Sequence, residues 1–409
     1  TFNRVVDPDL AFVGNSAGFV FPSIDFQEAR ADSELEVTIV MGAPNHVALG
    51  LISEVYVHCK DSYEKMSKEE AAENPIGSGA YEFVKWDKGN QIVMKKAKGS
   101  AVSANFENLI WRVIPEASTR TAELIAGNVD MITNASPDQV DAIDASNSAK
   151  VQKVSGTRRM YVGFHQGEEY AVTEGGAAIQ KAEVRRAIQY AVDVEAICAN
   201  LLNAPCERAT GLVNPNNAHP TLKPYPYNPE IAEYLLDQAG YPRDGNGVRF
   251  EITLEAGQGR YLNDKNVVLA ICQYLDDIGI KTTCDIMDWS SVYVPKIRKK
   301  EAGPMFFLGS GGGTWNPLYD MSDLATVESG PNYTKWTNEE WFKGWKVINN
   351  SMDPYVIRRE IDRMLEVFYN EGPWLLLYFQ PDFYGVSNRV KWQERRDEEV
   401  DIFDASLAN

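Results

Sequence analysis

The stretch LIWRVIPEASTRTAELIAGNVDMI, residues 109–132, decides the fold class. Residues 109–114 are apolar and β-favouring and read as a strand. Ser118 and Thr119 are placed to cap a helix running through about Ala126, which Gly127 ends. Residues 129–132 then read as a short strand. Strand, helix and strand in that order make the unit of an α/β domain.

Working outward, the same alternation recurs. Upstream, residues 35–40 (LEVTIV) alternate as a strand does, 61–73 are charged with helical spacing, and 75–79 (PIGSG) compose a turn. Strands are predicted over 81–86 and 91–95, joined by a loop containing Gly89. Downstream, 160–165 is strand-like. The strongest helix is predicted over 181–203, where Val184, Ala187, Ile188, Ala191, Val192 and Ile197 fall largely on one stripe. A Pro/Asn-rich loop covers 213–229, and a helix over 229–239 stops at Gly240. Strand 249–254, helix 264–278, strand 280–287, a helix near 290–300 and a buried strand 305–308 follow. The last leads into the loop 309–316. Helices over 338–350 and 354–370 and a last strand 374–378 close the pattern.

The chain has 409 residues, enough for two or three domains. With 44% hydrophobic and 24% charged residues it is neither a disordered chain, a fibre nor a small disulfide scaffold. No apolar run reaches the roughly 18 residues of a transmembrane helix. Forty Lys+Arg against 58 Asp+Glu give a net charge of −18, which opposes contact with nucleic acid and anionic membranes. Cys59, Cys198, Cys206, Cys272 and Cys284 show no zinc spacing. The pairs 198/206 and 272/284 read equally as bridges in an exported protein or as buried thiols, with Cys59 left over. His46, His58, His165 and His219 are scattered, so no metal site is expected.

Two glycine motifs carry possible chemistry. Gly14-Asn15-Ser16-Ala17-Gly18 matches the GxSxG nucleophile elbow, but the Phe-rich run ending at Pro22 is not the helix start that the elbow needs. Gly309-Ser310-Gly311-Gly312-Gly313-Thr314 lacks the GK[ST] of a phosphate loop. Its glycines do allow a ligand close to the backbone, at the end of a strand where α/β folds bind ligands. Either a ligand loop or a plain turn fits. Trp315 and Trp289 flank the strand that feeds the loop and are placed for stacking. Arg158 and Arg159 sit on opposite faces of a strand, so one at most enters a cleft, where it could clamp a carboxylate. The other reading is a solvated pair. His165 reads as a structural histidine or a ligand contact.

Several segments together resemble the extracytoplasmic solute-binding proteins of peptide/nickel-type ABC importers, bacterial solute-binding family 5. NPIGSGAYEF (74–83) looks like the family's "NPIGTGPYKF" turn. Ile114-Pro115 through Thr119-Arg120, with Gly127-Asn128-Val129-Asp130, is similar to its "IPD..TR...L..GEID" unit. VRRAI (184–188) with YAVD (190–193) resembles "VRQAI.YAID", and Tyr227-Asn228-Pro229 through Ala239-Gly240-Tyr241 resembles "YDP..A..LL..AGY". Leu275 with Ile278-Gly279-Ile280, and Trp374 with Tyr378, extend the resemblance to residue 378. The segment like residues 1–8 lies well inside the family's mature proteins, which implies that the N-terminal portion is absent from this sequence.

The resemblance implies two α/β lobes of the periplasmic-binding-protein type (type II-like), joined by crossing strands and a hinge, with an extra subdomain. The expected division is 1–72 for a remnant of that subdomain, 73–170 for lobe 1, 171–370 for lobe 2 and 371–409 for the return to lobe 1. It implies a periplasmic or lipid-anchored monomer that binds a small solute between its lobes and delivers it to the transmembrane subunits of an ABC permease. No catalysis, cofactor or metal is implied. The expected ligand contacts are Gly311, Gly312, Gly313, Thr314, Trp315, Asn316 and Trp289, with Arg158, Tyr161 and His165 near the lobe crossing. Peptide-binding family members place an Asp in the loop matching 309–317, to pair with the peptide's amino group. Its lack here shifts the expectation toward an opine-like, glycan or metal-chelate solute beside peptides. The rival readings are a serine hydrolase using Ser16 and a chaperone-like or signalling receptor without a transport partner.

Overall fold

The structure, a computed structural model, describes residues 1–7, 16–311, 315–327 and 330–408. They form two compact units, one of Thr1–Ala43, Ala48–Val154 and Asp382–Asn409, the other of Pro44–Val47 and Ser155–Pro381. The sequence reading put the corresponding passages at 170/171 and 370/371.

In the first unit, β1 (Phe26–Ser33) and β2 (Glu36–Met41) form an antiparallel hairpin. β3 (Tyr81–Asp87), β4 (Gln91–Lys96) and β5 (Asn108–Arg112) form a three-stranded antiparallel sheet. The charged segment 61–73 is two short helices, Lys60–Tyr63 and Lys68–Glu73. Ser67 divides them by capping the second in a reciprocal box with Glu70.

The strand–helix–strand unit is present with shifted edges. Its helix is Ala117–Ile125, and Ser118 and Thr119 lie inside it rather than capping it. The Arg120 guanidinium fixes the entry instead, donating to the carbonyls of Ile114, Pro115 and Asn134. After Gly127, at φ +76°, the N–H groups of Asn128 and Val129 still donate back to the Glu123 carbonyl. That return turn consumes two residues expected in the strand, so β6 is only Met131–Ile132.

β7 (Ala149–Phe164) begins in the first unit and carries the chain into the second. There the predicted 181–203 helix is two, Ala182–Ala191 and Val194–Leu201. The break falls at Val192-Asp193. Asp193 caps the second helix through Ala196 N (2.9 Å), and Arg208 takes the carbonyls of Gln189 (2.7 Å) and Val192 (3.5 Å). The helix Pro229–Gln238 follows, then β8 (Phe250–Gln258), the helix Asp264–Asp277 and β9 (Ile280–Asp288). A π-turn at Trp289–Tyr293 runs into the helix Val294–Arg298, which precedes β10 (Met305–Ser310). The helices Pro317–Ser322, Glu339–Asn349 and Pro354–Glu371 lead to β11 (Trp374–Ser387). β12 (Val390–Lys391) and β13 (Ser406–Leu407) end the chain in the first unit, beside a small core of Tyr384, Val386, Trp392 and Ala405.

The second unit is built on the strand order β11-β7-β10-β8-β9. β8 is parallel to β9 and to β10, so two helical crossovers join three parallel strands. β10 runs antiparallel to β7, with Ser310 opposite Arg159 and Gly309 opposite Met160. Disulfides join Cys198 to Cys206 and Cys272 to Cys284; Cys59 is free and exposed. The second bridge ties the helix Asp264–Asp277 to β9. No helix among the described residues is long and apolar enough to cross a membrane.

Candidate functional site

Parallel strands in open α/β sheets present ligands at their carboxyl ends. In the second unit three such ends carry the residues of interest. β8 runs out through Gly257-Gln258-Gly259 into Arg260 and Tyr261, β9 into Trp289, and β10 into Gly309, Ser310 and Gly311. Neither Arg260 nor Tyr261 was expected from the sequence. Their signal is positional: they follow the end of a strand predicted to stop at residue 254, which extends to Gln258.

The antiparallel register sorts the neighbouring side chains onto two faces. On one face lie Arg158, Met160 and Gly309. The Tyr261 ring occupies the space over Gly309, where an added Cβ would stand 2.9 Å from Tyr261 Cε1. The Tyr261 hydroxyl accepts from Gly309 N (3.0 Å), which fixes the ring on the strand. Trp289 meets it edge-on, with centroids 5.2 Å apart. Gly257 makes room for that indole, since a Cβ there would lie 2.7 Å from Trp289 Cε3. The guanidinium carbons of Arg158 and Arg260 lie 5.9 and 5.3 Å from the Tyr261 centroid.

On the other face lie Arg159, Tyr161 and Ser310. Arg159 Nη1 stands 3.0 Å from Asp320 Oδ1, and both side chains are nearly wholly enclosed. Arg159 Nη2 donates to Ser310 Oγ (3.1 Å), which donates to Asp323 Oδ2 (2.6 Å). Asp323 keeps part of its residue surface open, but its carboxyl is densely surrounded. That desolvation pushes its pKa up to about 6, against the pull of the Ser310 hydrogen bond and Arg159. Burial also raises Asp320, and Arg159 opposes the rise. Two carboxylates thus share one guanidinium.

The expected contact residues fall in different places. Arg158 is half-buried on the ring-bearing face, whereas the deeply buried arginine is Arg159. Trp315 is 37% exposed, with φ +55°, and its carbonyl accepts from Asn217 Nδ2 (2.9 Å). Asn316 caps the helix Pro317–Ser322 by accepting from Leu318 N (3.0 Å). Gly311 is exposed; Gly312, Gly313 and Thr314 lie outside the described residues. Tyr161 is enclosed, stacked on Trp374 at 3.9 Å in an aromatic core continued by Phe368, Trp341 and Trp336. His165 is likewise enclosed. Its Nδ1 accepts from Gly167 N (3.1 Å), its Nε2 lies 3.2 Å from the Lys300 carbonyl, and burial lowers its pKa. These two side chains serve packing.

Ser16 of the GxSxG match opens a π-helical turn, Ser16–Val20; Gly14 and Asn15 lie outside the described residues. No group of three or more His, Cys, Asp or Glu among the described residues is arranged to hold a metal ion.

Residues 1–331 match the model of the bacterial extracellular solute-binding proteins, family 5. The chain belongs to this family. Similar relatives include the oligopeptide-binding protein AppA of Bacillus subtilis, 22% identical over 79% of this chain and 60% of the relative. The heme-binding protein A of Haemophilus influenzae is 26% identical over 96% of this chain and 72% of the relative. The chain thus spans well under the full length of the curated relatives it matches. The solved structure of B. subtilis AppA in complex with a nonapeptide superposes with a TM-score of 0.82 at 20% identity, covering 100% of this chain and 82% of that one. The α/β, two-lobed fold of this family is therefore the fold of this chain. Its members are binding proteins, and the comparisons do not favour a serine hydrolase.

Proposed function

We propose that this family 5 protein is the substrate-binding component of an ABC importer. It captures a small organic solute, peptide-like, opine-like or glycan, and hands it to a membrane permease outside the cytoplasm, in the periplasm or from a lipid anchor. It acts as a monomer and performs no covalent step.

The observation that carries this reading is the convergence of three strand ends in a family of binding proteins. Rings from Tyr261 and Trp289 and guanidiniums from Arg158 and Arg260 meet where such folds hold ligands. A micromolar Kd needs about −8 kcal/mol. A few hydrogen bonds and one or two stacked rings supply that without chemistry.

The test is mass spectrometry of solute co-purified with the protein, backed by thermal-shift screening over peptides, oligosaccharides and chelated metals. A stoichiometric small solute is expected, and Trp315→Ala should weaken its binding strongly. Unchanged affinity in that variant removes the loop from the site. Turnover of any bound compound overturns the reading.

A further inference from the structure

We infer that Asn217 is a positioning residue for the solute: its amide holds Trp315 in the left-handed backbone conformation that sets where the indole points. This deepens the solute-binding reading and rests on it.

Trp315 has φ +55°. A bulky L-residue enters that region only where its surroundings impose it, and such residues gather at ligand clamps. Beyond Trp315 the chain is fixed at once. Asn316 is extended, with φ −93° and ψ 120°, as a residue before proline is. Pro317 then opens the helix Pro317–Ser322, which Asn316 caps by accepting from Leu318 N (3.0 Å).

From a distant part of the chain, Asn217 Nδ2 donates to the Trp315 carbonyl at 2.9 Å, across 98 residues of sequence. A donor holds its acceptor only as firmly as it is held itself. Asn217 closes the tight turn Pro215–Asn217, with its own N–H on the Asn214 carbonyl (2.8 Å). Arg358 clasps the exit of that turn, donating to the carbonyls of Ala218 (3.2 Å) and Asn217 (3.5 Å), and is itself paired with Asp362 (2.6 Å).

One carboxylate joins the two arms. Asp320 Oδ1 faces Arg159 Nη1 at 3.0 Å, and Asp320 Oδ2 accepts from Asn214 N (3.3 Å). Asp320 stands on the helix that follows Trp315, and Asn214 opens the turn that carries Asn217. Both residues are enclosed, so the helix and the turn form one braced frame, with Trp315 strung across it and its indole still partly open. A ring set in advance costs less to order when a solute meets it. The role requires a donor. Asp in place of Asn217 keeps the shape but sets a carboxylate oxygen against a carbonyl. Without the donor the backbone at Trp315 relaxes toward negative φ, and the side chain leaves in another direction.

The test uses the full chain labelled with 5-fluorotryptophan. Nine tryptophans give nine fluorine resonances, and Trp315→Phe assigns the one of interest. In Asn217→Ala and Asn217→Asp that resonance is expected to move or broaden while the others stay and circular dichroism is unchanged. Asn216→Ala, at an exposed neighbour on the same turn, should leave it in place. Native mass spectrometry of the proteins as isolated then follows the loss of retained solute on dilution. Its half-time should shorten about fivefold in both Asn217 variants and stay unchanged in Asn216→Ala. A Trp315 resonance unmoved in the folded Asn217 variants overturns the inference, and so does a moved resonance with unaltered solute loss. If neither variant folds, Asn217 serves the fold and the inference falls as well. If the resonance moves but the unaltered protein retains no solute, the importer reading is what falls.

Discussion

Arg159 and Asp320 meet at 3.0 Å with 1% and 2% of their side chains exposed. The pair links β7 to the helix Pro317–Ser322, the segment that directly follows the glycine loop. A buried ion pair is held by mutual compensation, and removing one member leaves an uncompensated charge in a poorly solvated place. Arg159→Met is therefore expected to cost about 3–5 kcal/mol in urea unfolding. The double variant Arg159→Met/Asp320→Leu should lose clearly less than the two single variants together. Strict additivity would mean that the two side chains do not compensate each other.

The carboxyl of Asp323 responds to pH with a definite sign. Its pKa is raised from 3.8 in the open chain to about 6, so between these values the native state holds more protons than the unfolded one. The stability it contributes is fully present below pH about 4 and is lost as pH rises through about 6. Two pH units correspond to about 3 kcal/mol at most. Asp320, raised by burial, acts in the same direction. Other carboxylates in the chain pull the other way, so the informative quantity is a difference. Asp323→Asn should gain stability relative to the unaltered protein by about 1–3 kcal/mol between pH 4 and pH 7. A constant gap across that range would place the Asp323 carboxyl in ordinary solvent.

Much of the second unit was legible in the sequence because its elements are local. The strand and helix runs around β8, β9 and β10 and the stop at Gly240 mark most element edges within a few residues. What was not legible depends on partners far away in the chain. Val192-Asp193 sits inside an unbroken apolar stripe, and only Arg208 and the Asp193 cap show why the helix divides there. Only the register against Ser310 and the distant Asp320 shows which of Arg158 and Arg159 is buried. Tyr161 and His165 looked available because a strand reveals its two faces but not what covers each. Trp374, packed from beyond the last helix, covers Tyr161. Tyr261 joins the site through a hydroxyl contact to Gly309, 48 residues away, for which no local pattern exists.

The two bridges should be measurable as thiols and as stability. All five cysteines lie among the described residues, with Cys59 alone free. One thiol per chain should react in the native, unreduced protein, and five after reduction in denaturant. Closing loops with sequence separations of 8 and 12 stabilises by about 2.5 and 2.8 kcal/mol in the chain-entropy account. Replacing Cys272 and Cys284 by Ser should therefore lower unfolding stability by about 2–3 kcal/mol. Three or more reactive native thiols would show that at least one bridge does not form.

Gly309 tests whether the ring-bearing wall is packed as described. A Cβ at this position would lie 2.8 Å from Met160 Sδ, 2.9 Å from Tyr261 Cε1 and 3.0 Å from Arg158 Cδ. Met160 and Arg158 are flexible and can yield. The Tyr261 ring cannot yield without breaking the bond from Gly309 N to its own hydroxyl. Gly309→Ala is therefore expected to cost about 1–3 kcal/mol of stability by overpacking. It should also weaken solute binding by displacing the ring to which both arginines are fitted. Tyr261→Phe separates the two effects, because it deletes the hydroxyl bond at about 1 kcal/mol while keeping the ring in place. Affinity should then fall more in Gly309→Ala than in Tyr261→Phe, as isothermal titration with the co-purified solute would measure. If Gly309→Ala binds and unfolds like the unaltered protein, the ring does not lie over this glycine, and the wall described here is not the one that meets the solute.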